Sequence, residues 1–235
     1  MSAPRGLLVT FEGLDGCGKT TQARRLAAYL RGRGAAVVHT REPGGTRVGR
    51  RIRAILLGRG EEGLSAEAEL LLLMADRAQH VREVIRPALA QGAVVVCERY
   101  TDSSVAYQAF GLGVERSVVE RLNELATGGL LPDLTIWLDL PAGERLGAGR
   151  AADRIESRTD GYFERVREGY RQLACAEPGR FAVVAVAGRS REAIHQEVVR
   201  LLHQRLGARL HDLLGSGTGS ATAGRVRAQI TEQGG

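Results

Sequence analysis

The sequence predicts an α/β fold in which a parallel five-stranded sheet carries helices on both faces. Two observations carry that reading. Apolar, β-branched runs alternate along the chain with segments of helical period. A glycine-rich octapeptide, residues 13–20, joins the first such run to the first helical segment. Strands that alternate with helices pair in parallel, because each crossover returns the chain to the same end of the sheet.

The elements follow in order. Residues 7–12 read as the first strand and 20–33 as a helix. Residues 36–40 read as the second strand, 47–57 as a helix and 66–91 as one long helix. The run 93–98 is continuously apolar until its last residue, as expected of a strand buried on both faces. Residues 115–127 read as a helix and 134–140 as the fourth strand. Segment 161–176 carries Arg/Glu pairs at helical spacing. Residues 181–186 read as the last strand and 191–206 as the last helix.

Two segments stand apart. Residues 142–159 are rich in Gly, Ala and Arg and read as a surface loop, a small lid. From residue 207 the chain turns Gly/Ser/Ala-rich, so 1–206 is expected to be one folded domain and 207–235 a flexible tail.

Composition bounds the function. The chain has 235 residues, enough for one α/β domain with a substantial core. No apolar run approaches the roughly 20 residues of a membrane helix. The short run after the N-terminus lacks a signal-peptide pattern, so the expectation is a cytoplasmic protein without membrane attachment. Cys17, Cys97 and Cys175 are odd in number and widely spaced, which argues against disulfides and a zinc site. No basic run with interleaved aromatics points to nucleic acid. The net charge of +6 is a weak hint of anionic ligands.

Lys19 is the only lysine; every other basic side chain is arginine. It lies in Gly13-Leu14-Asp15-Gly16-Cys17-Gly18-Lys19-Thr20, which matches the phosphate-loop pattern G-x-x-x-x-G-K-[ST] between a strand and a helix. The glycines let backbone N–H groups turn inward around phosphates. Lys19 is expected to reach the β- and γ-phosphates, and the Thr20 hydroxyl to ligate Mg²⁺. A planar guanidinium is no substitute for a compact ammonium there. The fold expected is therefore the three-layer P-loop NTPase fold. A guanine-specific NKxD motif is impossible, since no second lysine exists. Glu98 and Arg99 close the third apolar run. An acid there can hold Mg²⁺ or its waters, and the arginine can hold a phosphate.

The remaining motifs resemble the thymidylate kinase family over about residues 6 to 206. They are Phe11-Glu12-Gly13 at the loop, Thr40-Arg41-Glu42-Pro43-Gly44-Gly45-Thr46, and Asp76-Arg77-Ala78-Gln79-His80. Glu98-Arg99-Tyr100 and Asp102-Ser103-Ser104-Val105-Ala106-Tyr107-Gln108 follow. Pro132-Asp133-Leu134-Thr135 and Asp153-Arg154-Ile155-Glu156 complete the set. The resemblance implies ATP-dependent, Mg²⁺-assisted phosphorylation of dTMP by a homodimer. ATP would be bound by Gly13, Leu14, Asp15, Gly16, Cys17, Gly18, Lys19, Thr20 and Thr21. Mg²⁺ would be held by Thr20 and Glu98.

The resemblance also assigns the acceptor side. Asp15 would face the sugar hydroxyl, and Arg53 and Arg99 would hold the acceptor phosphate. Arg77, Ser104 and Gln108 would read the base, Tyr107 would pack beside the deoxyribose, and Pro43 would shape the pocket from a turn. Lys19, Arg99 and the lid residues Arg150 and Arg154 would be catalytic, with Arg145 and Arg158 nearby. The sequence departs from the family at Leu73, where an aromatic ring is usual, and at Glu98, where Asp is usual. Phe110 and Met74 are candidates to replace the ring. Two alternatives stay open: a kinase for another nucleoside or nucleotide, and a weakly active nucleotide-binding module.

Overall fold

The computed structural model describes residues 5–58, 63–144 and 154–215. Five parallel strands run in the order β2-β3-β1-β4-β5: β1 (Leu7–Glu12), β2 (Val37–Arg41), β3 (Val94–Glu98), β4 (Leu134–Asp139) and β5 (Phe181–Ala185). β1 is central and buried along its whole length, Thr10 and Glu12 included. It pairs with β3 in the register Phe11↔Glu98 and with β4 in the register Phe11↔Ile136.

Alternate residues of each strand serve opposite faces. Leu7, Val9, Phe11, Val94 and Val96 pack with Leu26 and Leu30 of α1 (Lys19–Gly32) and with Val198 and Leu202 of α8 (Arg191–Gly215). Leu8, Val95 and Cys97 face the other side, against Ile85 and Leu89. Trp137 and Phe181 join that second face with α3 (Ala66–His80), α6 (Arg116–Thr127) and α7 (Asp160–Ala176). α2 (Arg47–Leu57) packs on α3.

Chain direction places the functional crevice. From β1 the chain goes to the β2–β3 side of the sheet; from β3 it crosses β1 to reach β4. The helices leaving these neighbouring strands lie on opposite faces, so the carboxyl ends of β1 and β3 open a cleft at the switch point.

Three expectations need correction. The long helix at 66–91 is not uniform: α3 passes through a wide π-type turn (Val81–Ile85) into α4 (Arg86–Ala90). Pro87 sits just after that turn; its ring crowds the carbonyl four residues back and it has no N–H to donate. Residues 101–111, assigned no element above, form α5 (Thr101–Ser104) and a second π-type stretch (Val105–Gly111). The last helix does not stop at 206 but runs to Gly215, so Gly207 is inside it. Leu210 is 2% exposed in the core beneath that extension. Residues 216–235 of the expected tail lie outside the described part, as do 145–153 of the expected lid. Among the described residues no helix is long and apolar enough to cross a membrane.

The extension of α8 is testable. Leu210→Ala should lower the unfolding free energy by about 2 kcal/mol or more in urea titration. Arg209→Ala, which removes only a half-exposed pair with Asp133, should cost less than about 1 kcal/mol.

Candidate functional site: two clefts meeting at a phosphate loop

The loop after β1 has the backbone its glycines allow. Gly13, Gly16 and Gly18 have φ of 133°, 80° and 98°. A Cβ on Gly13 would stand 2.5 Å from the Leu138 carbonyl oxygen, so only glycine fits. Lys19 Nζ folds back over the loop and donates to the carbonyls of Gly13 (3.0 Å) and Leu14 (2.7 Å). Cys17 is buried within the loop. Gly16, Cys17, Gly18 and Thr21 line one cleft, with Gln22, Arg189 and Arg191 across from them.

Asp15 faces the other cleft. That cleft gathers every residue expected on the acceptor side: Asp15, Pro43, Arg53, Leu73, Arg77, Arg99, Ser104, Tyr107 and Gln108. They come from the loop, α2, α3, the end of β3 and the 101–111 segment. Leu56, Leu57 and Ile155 add an apolar wall, and Glu42, Ser103 and Glu156 add polar groups.

Arg99 is the hub. Its φ is 63°, the one left-handed non-glycine among the described residues. Its Nη2 donates to Asp15 Oδ1 (2.7 Å) and to the Tyr107 hydroxyl (2.9 Å), and Nη1 donates to Ser103 Oγ (3.1 Å). The guanidinium also lies 4.6 Å from the centre of the Tyr107 ring. Burial alone would raise the Asp15 pKa, but the charges of Arg99 and Lys19 overcome it and hold the carboxyl well below its ordinary range.

Beneath the hub sits Glu12, fully buried at the end of β1. Its carboxylate accepts from the Tyr100 N–H (2.7 Å), Ser103 Oγ (2.5 Å) and the Tyr170 hydroxyl (2.8 Å). The first of these bonds pins the backbone directly after Arg99 and so supports its unusual turn. Burial, and then the nearby Asp102 charge, push the Glu12 pKa up to about 7.

Arg77 is 1% exposed. It donates to Glu42 Oε2 (2.7 Å), Ser104 Oγ (2.9 Å), Asn123 Oδ1 (2.5 Å) and the Tyr100 carbonyl (2.9 Å). Glu42 also meets His80 Nδ1 at 2.9 Å. Burial works against the Glu42 charge, yet Arg77 and His80 hold its pKa below the usual value. The Glu42–Pro43 peptide is cis, and Arg53 Nη1 donates to the Pro43 carbonyl at 3.0 Å. Asp76 accepts from the Gly44 N–H at 2.9 Å, which fixes that turn from below.

At the junction of the two clefts the Thr20 hydroxyl donates to Glu98 Oε2, and His39 Nε2 contacts Glu98 Oε1 at 3.1 Å. Burial raises the Glu98 pKa less than His39 and Thr20 lower it, so the acid is held ionised. A hydroxyl and a carboxylate meeting beside a phosphate cradle are the oxygen donors that Mg²⁺ takes, with phosphates and water filling its other positions. The longer Glu98 therefore still reaches Thr20.

Of the lid arginines, Arg145 and Arg150 lie outside the described residues. Arg154 donates to Glu69 Oε2 (2.6 Å) and to the Leu56 carbonyl (3.0 Å). Phe110 does not line the acceptor cleft; it packs on Gly169, whose added Cβ would stand 2.7 Å from its ring. Met74 touches Arg77 Nη1 through its sulfur at 3.8 Å and does not line the cleft either. Sequence reasoning gave no role to Glu12, Glu42, Glu69, His80, Ser103 or Asn123. Three of these are acids on otherwise buried faces, a signal that they pair with something.

Glu12 makes stability depend on pH. A carboxyl whose pKa is higher folded than unfolded contributes fully below its unfolded value of 4.5, and that contribution is lost as pH rises through about 7. Asp76, raised by burial and by Glu42 to about 6, acts in the same direction. The melting temperature should therefore fall between pH 5 and pH 8, and it should fall less in Glu12→Gln. Parallel melting curves for the two proteins over that range would contradict the assignment.

Comparison with known proteins fits this geometry. The family model described as thymidylate kinase matches residues 11–198. A thymidylate kinase of Solidesulfovibrio magneticus is 50% identical over 191 residues, covering 77% of this chain and 91% of its own. One from Geobacter sulfurreducens is 52% identical over 190 residues, covering 76% and 88%. The crystal structure of thymidylate kinase from Ehrlichia chaffeensis superposes with a TM-score of 0.72 at 34% identity, covering 85% of this chain and all of that one. A phosphate loop, a second cleft armed with arginines and a match across most of the chain lead to one conclusion: this chain belongs to the thymidylate kinase family.

Proposed function

We propose that this chain transfers the γ-phosphoryl group of ATP to dTMP, giving ADP and dTDP. The observation that carries the reading is the acceptor cleft, in which Arg53, Arg99, the buried Arg77 and Gln108 converge on one side of the phosphate loop. Gly13, Gly16, Gly18 and the start of α1 cradle the donor phosphates through backbone N–H groups. Lys19 exchanges its bonds to the loop carbonyls for the β- and γ-phosphate oxygens. Arg53 and Arg99 grip the acceptor phosphate; Arg99 is already oriented by Asp15 and Tyr107. Asp15 accepts from the sugar hydroxyl, and the Tyr107 ring fills the space that a ribose 2′-hydroxyl would need.

The acceptor phosphate is ionised at neutral pH, so the site needs no general base. One of its oxygens bonds to the γ-phosphorus while the bond from that phosphorus to the β-bridging oxygen breaks, leaving ADP. Thr20 and Glu98 are the residues that would hold Mg²⁺. When bound, Mg²⁺ neutralises charge on the β- and γ-phosphates. Arg150 and Arg154 are assigned to the lid that covers the transferring group and keeps water from competing. We also assign a homodimer. Leu71 on α3 and Leu125 on α6, helices that pack on each other, are 57% and 80% exposed and give it an apolar face.

Two measurements test these assignments. In a coupled assay with ATP and Mg²⁺, dTMP should be turned over well above thymidine, dCMP and AMP, and Lys19→Ala should lose at least about 10²-fold in kcat. Turnover of thymidine but not dTMP would overturn the acceptor assignment. ATP binding without dTDP formation would leave only a nucleotide-binding module. Light scattering should give twice the chain mass of 25.2 kDa, and Leu71→Glu/Leu125→Glu should halve it. A wild-type mass of one chain would remove the dimer.

A further inference from the structure

Gln108 lines the acceptor cleft and is buried. Its Nε2 donates to Glu69 Oε1 at 2.9 Å, and its Oε1 has no hydrogen-bond partner. Glu69 itself is not part of the cleft lining; it lies behind Gln108 on α3, fully buried. Its other oxygen accepts from Arg154 Nη2 and Arg158 Nη2, each at 2.6 Å. Burial would push its proton affinity up, but Arg158 and Arg154 reverse that and keep it ionised.

An ionised carboxylate only accepts hydrogen bonds. The Gln108 amide therefore has one acceptable orientation: its NH₂ must face Glu69, which leaves its carbonyl oxygen, buried and without a partner in the wall of the cleft, as the spare acceptor. A buried carbonyl without a partner is costly, and a ligand relieves that cost only by bringing an N–H donor. The imide N3–H of a thymine or uracil ring is such a donor; N3 of cytosine is an acceptor and would meet a second acceptor. Arg77 complements this from the other side, since four oxygen acceptors engage a guanidinium that has five N–H donors.

We propose that Glu69 is the positioning residue that sets the polarity of Gln108, and through it the preference of the cleft for a pyrimidine carrying an N3–H over one that does not. The proposal rests on the thymidylate kinase reading of the cleft. Because Arg154 and Arg158 bond to the same carboxylate, these two arginines help to hold the base-reading amide in its working orientation.

The test is a cycle of variants assayed with dTMP and dCMP. A glutamine at position 69 both donates and accepts, so in Glu69→Gln the Gln108 amide is free to turn. The ratio of kcat/KM for dTMP over dCMP should fall roughly tenfold, mostly through the KM for dTMP, while the KM for ATP stays within about twofold. In Glu69→Gln/Gln108→Ala the ratio should be no lower than in Gln108→Ala alone, because Glu69 acts through Gln108. Glu69→Asp keeps an acceptor-only group and should retain more of the dTMP preference than Glu69→Gln, even where both lose stability. That comparison decides the matter if Glu69→Gln folds poorly. An unchanged ratio in Glu69→Gln, or equal losses of preference in Glu69→Asp and Glu69→Gln, would overturn the proposal. Wild-type enzyme with no preference for dTMP would remove the thymidylate reading as well, so the two failures are distinguishable.

Discussion

The pairing of Arg99 with Asp15 ties the two halves of the site together. Asp15 belongs to the loop that grips the donor, and Arg99 opens the acceptor cleft, yet their side chains meet at 2.7 Å. Sheet register makes this possible. Phe11 pairs with Glu98, so the residues just beyond these strands emerge side by side at the switch point. Burying a guanidinium costs several kcal/mol unless a counter-charge and hydrogen bonds offset it. Asp15, Tyr107 and Ser103 do so in the protein alone, and an arriving phosphate finds a cation already oriented. Glu12 completes the arrangement from below by holding the backbone turn that aims Arg99 upward.

The same logic repeats around the cleft. Glu42 holds Arg77, and Glu69 holds Arg154 and Arg158. Each buried acid fixes an arginine that a flexible, solvated side chain would present in many orientations. Arginine suits this use because its planar fork bonds a carboxylate on one edge and a ligand on another. Lysine is kept for the one place where a small charge must swing between loop carbonyls and phosphate oxygens. Within the site, then, arginine and the single lysine suit two different tasks.

What the sequence reveals about this site depends on how local each feature is. The phosphate loop is legible because its glycines, lysine and threonine act within eight consecutive residues. The central strands β1 and β3 are legible because burial leaves them mostly apolar. The burial of Arg77 is not legible, since its partners Glu42, Ser104 and Asn123 come from three distant segments and no helical period reveals them. Segment 101–111 escapes because its Thr-Asp-Ser-Ser opening reads as turn chemistry, while tertiary packing against α7 makes it helical. The end of α8 is misplaced for a similar reason: Gly207 weakens the helix locally, and Leu206 and Leu210 packing into the core outweigh that cost.

The departure at Leu73 gives the acceptor cleft an aliphatic wall in place of a ring. Leu73 lines the cleft with Leu56, Leu57 and Ile155, so one side is an aliphatic wall. Neither Phe110 nor Met74 reaches that wall, and no aromatic side chain replaces the expected one at that spot. Aliphatic contact still removes the flat faces of a base from water, which is a non-directional gain, but it tells one pyrimidine from another poorly. On the proposed reading, discrimination then falls to Arg77 as a donor and Gln108 as an acceptor. A cleft that has given up ring stacking depends all the more on the buried carboxylates, Glu42 and Glu69, that keep those two side chains from turning.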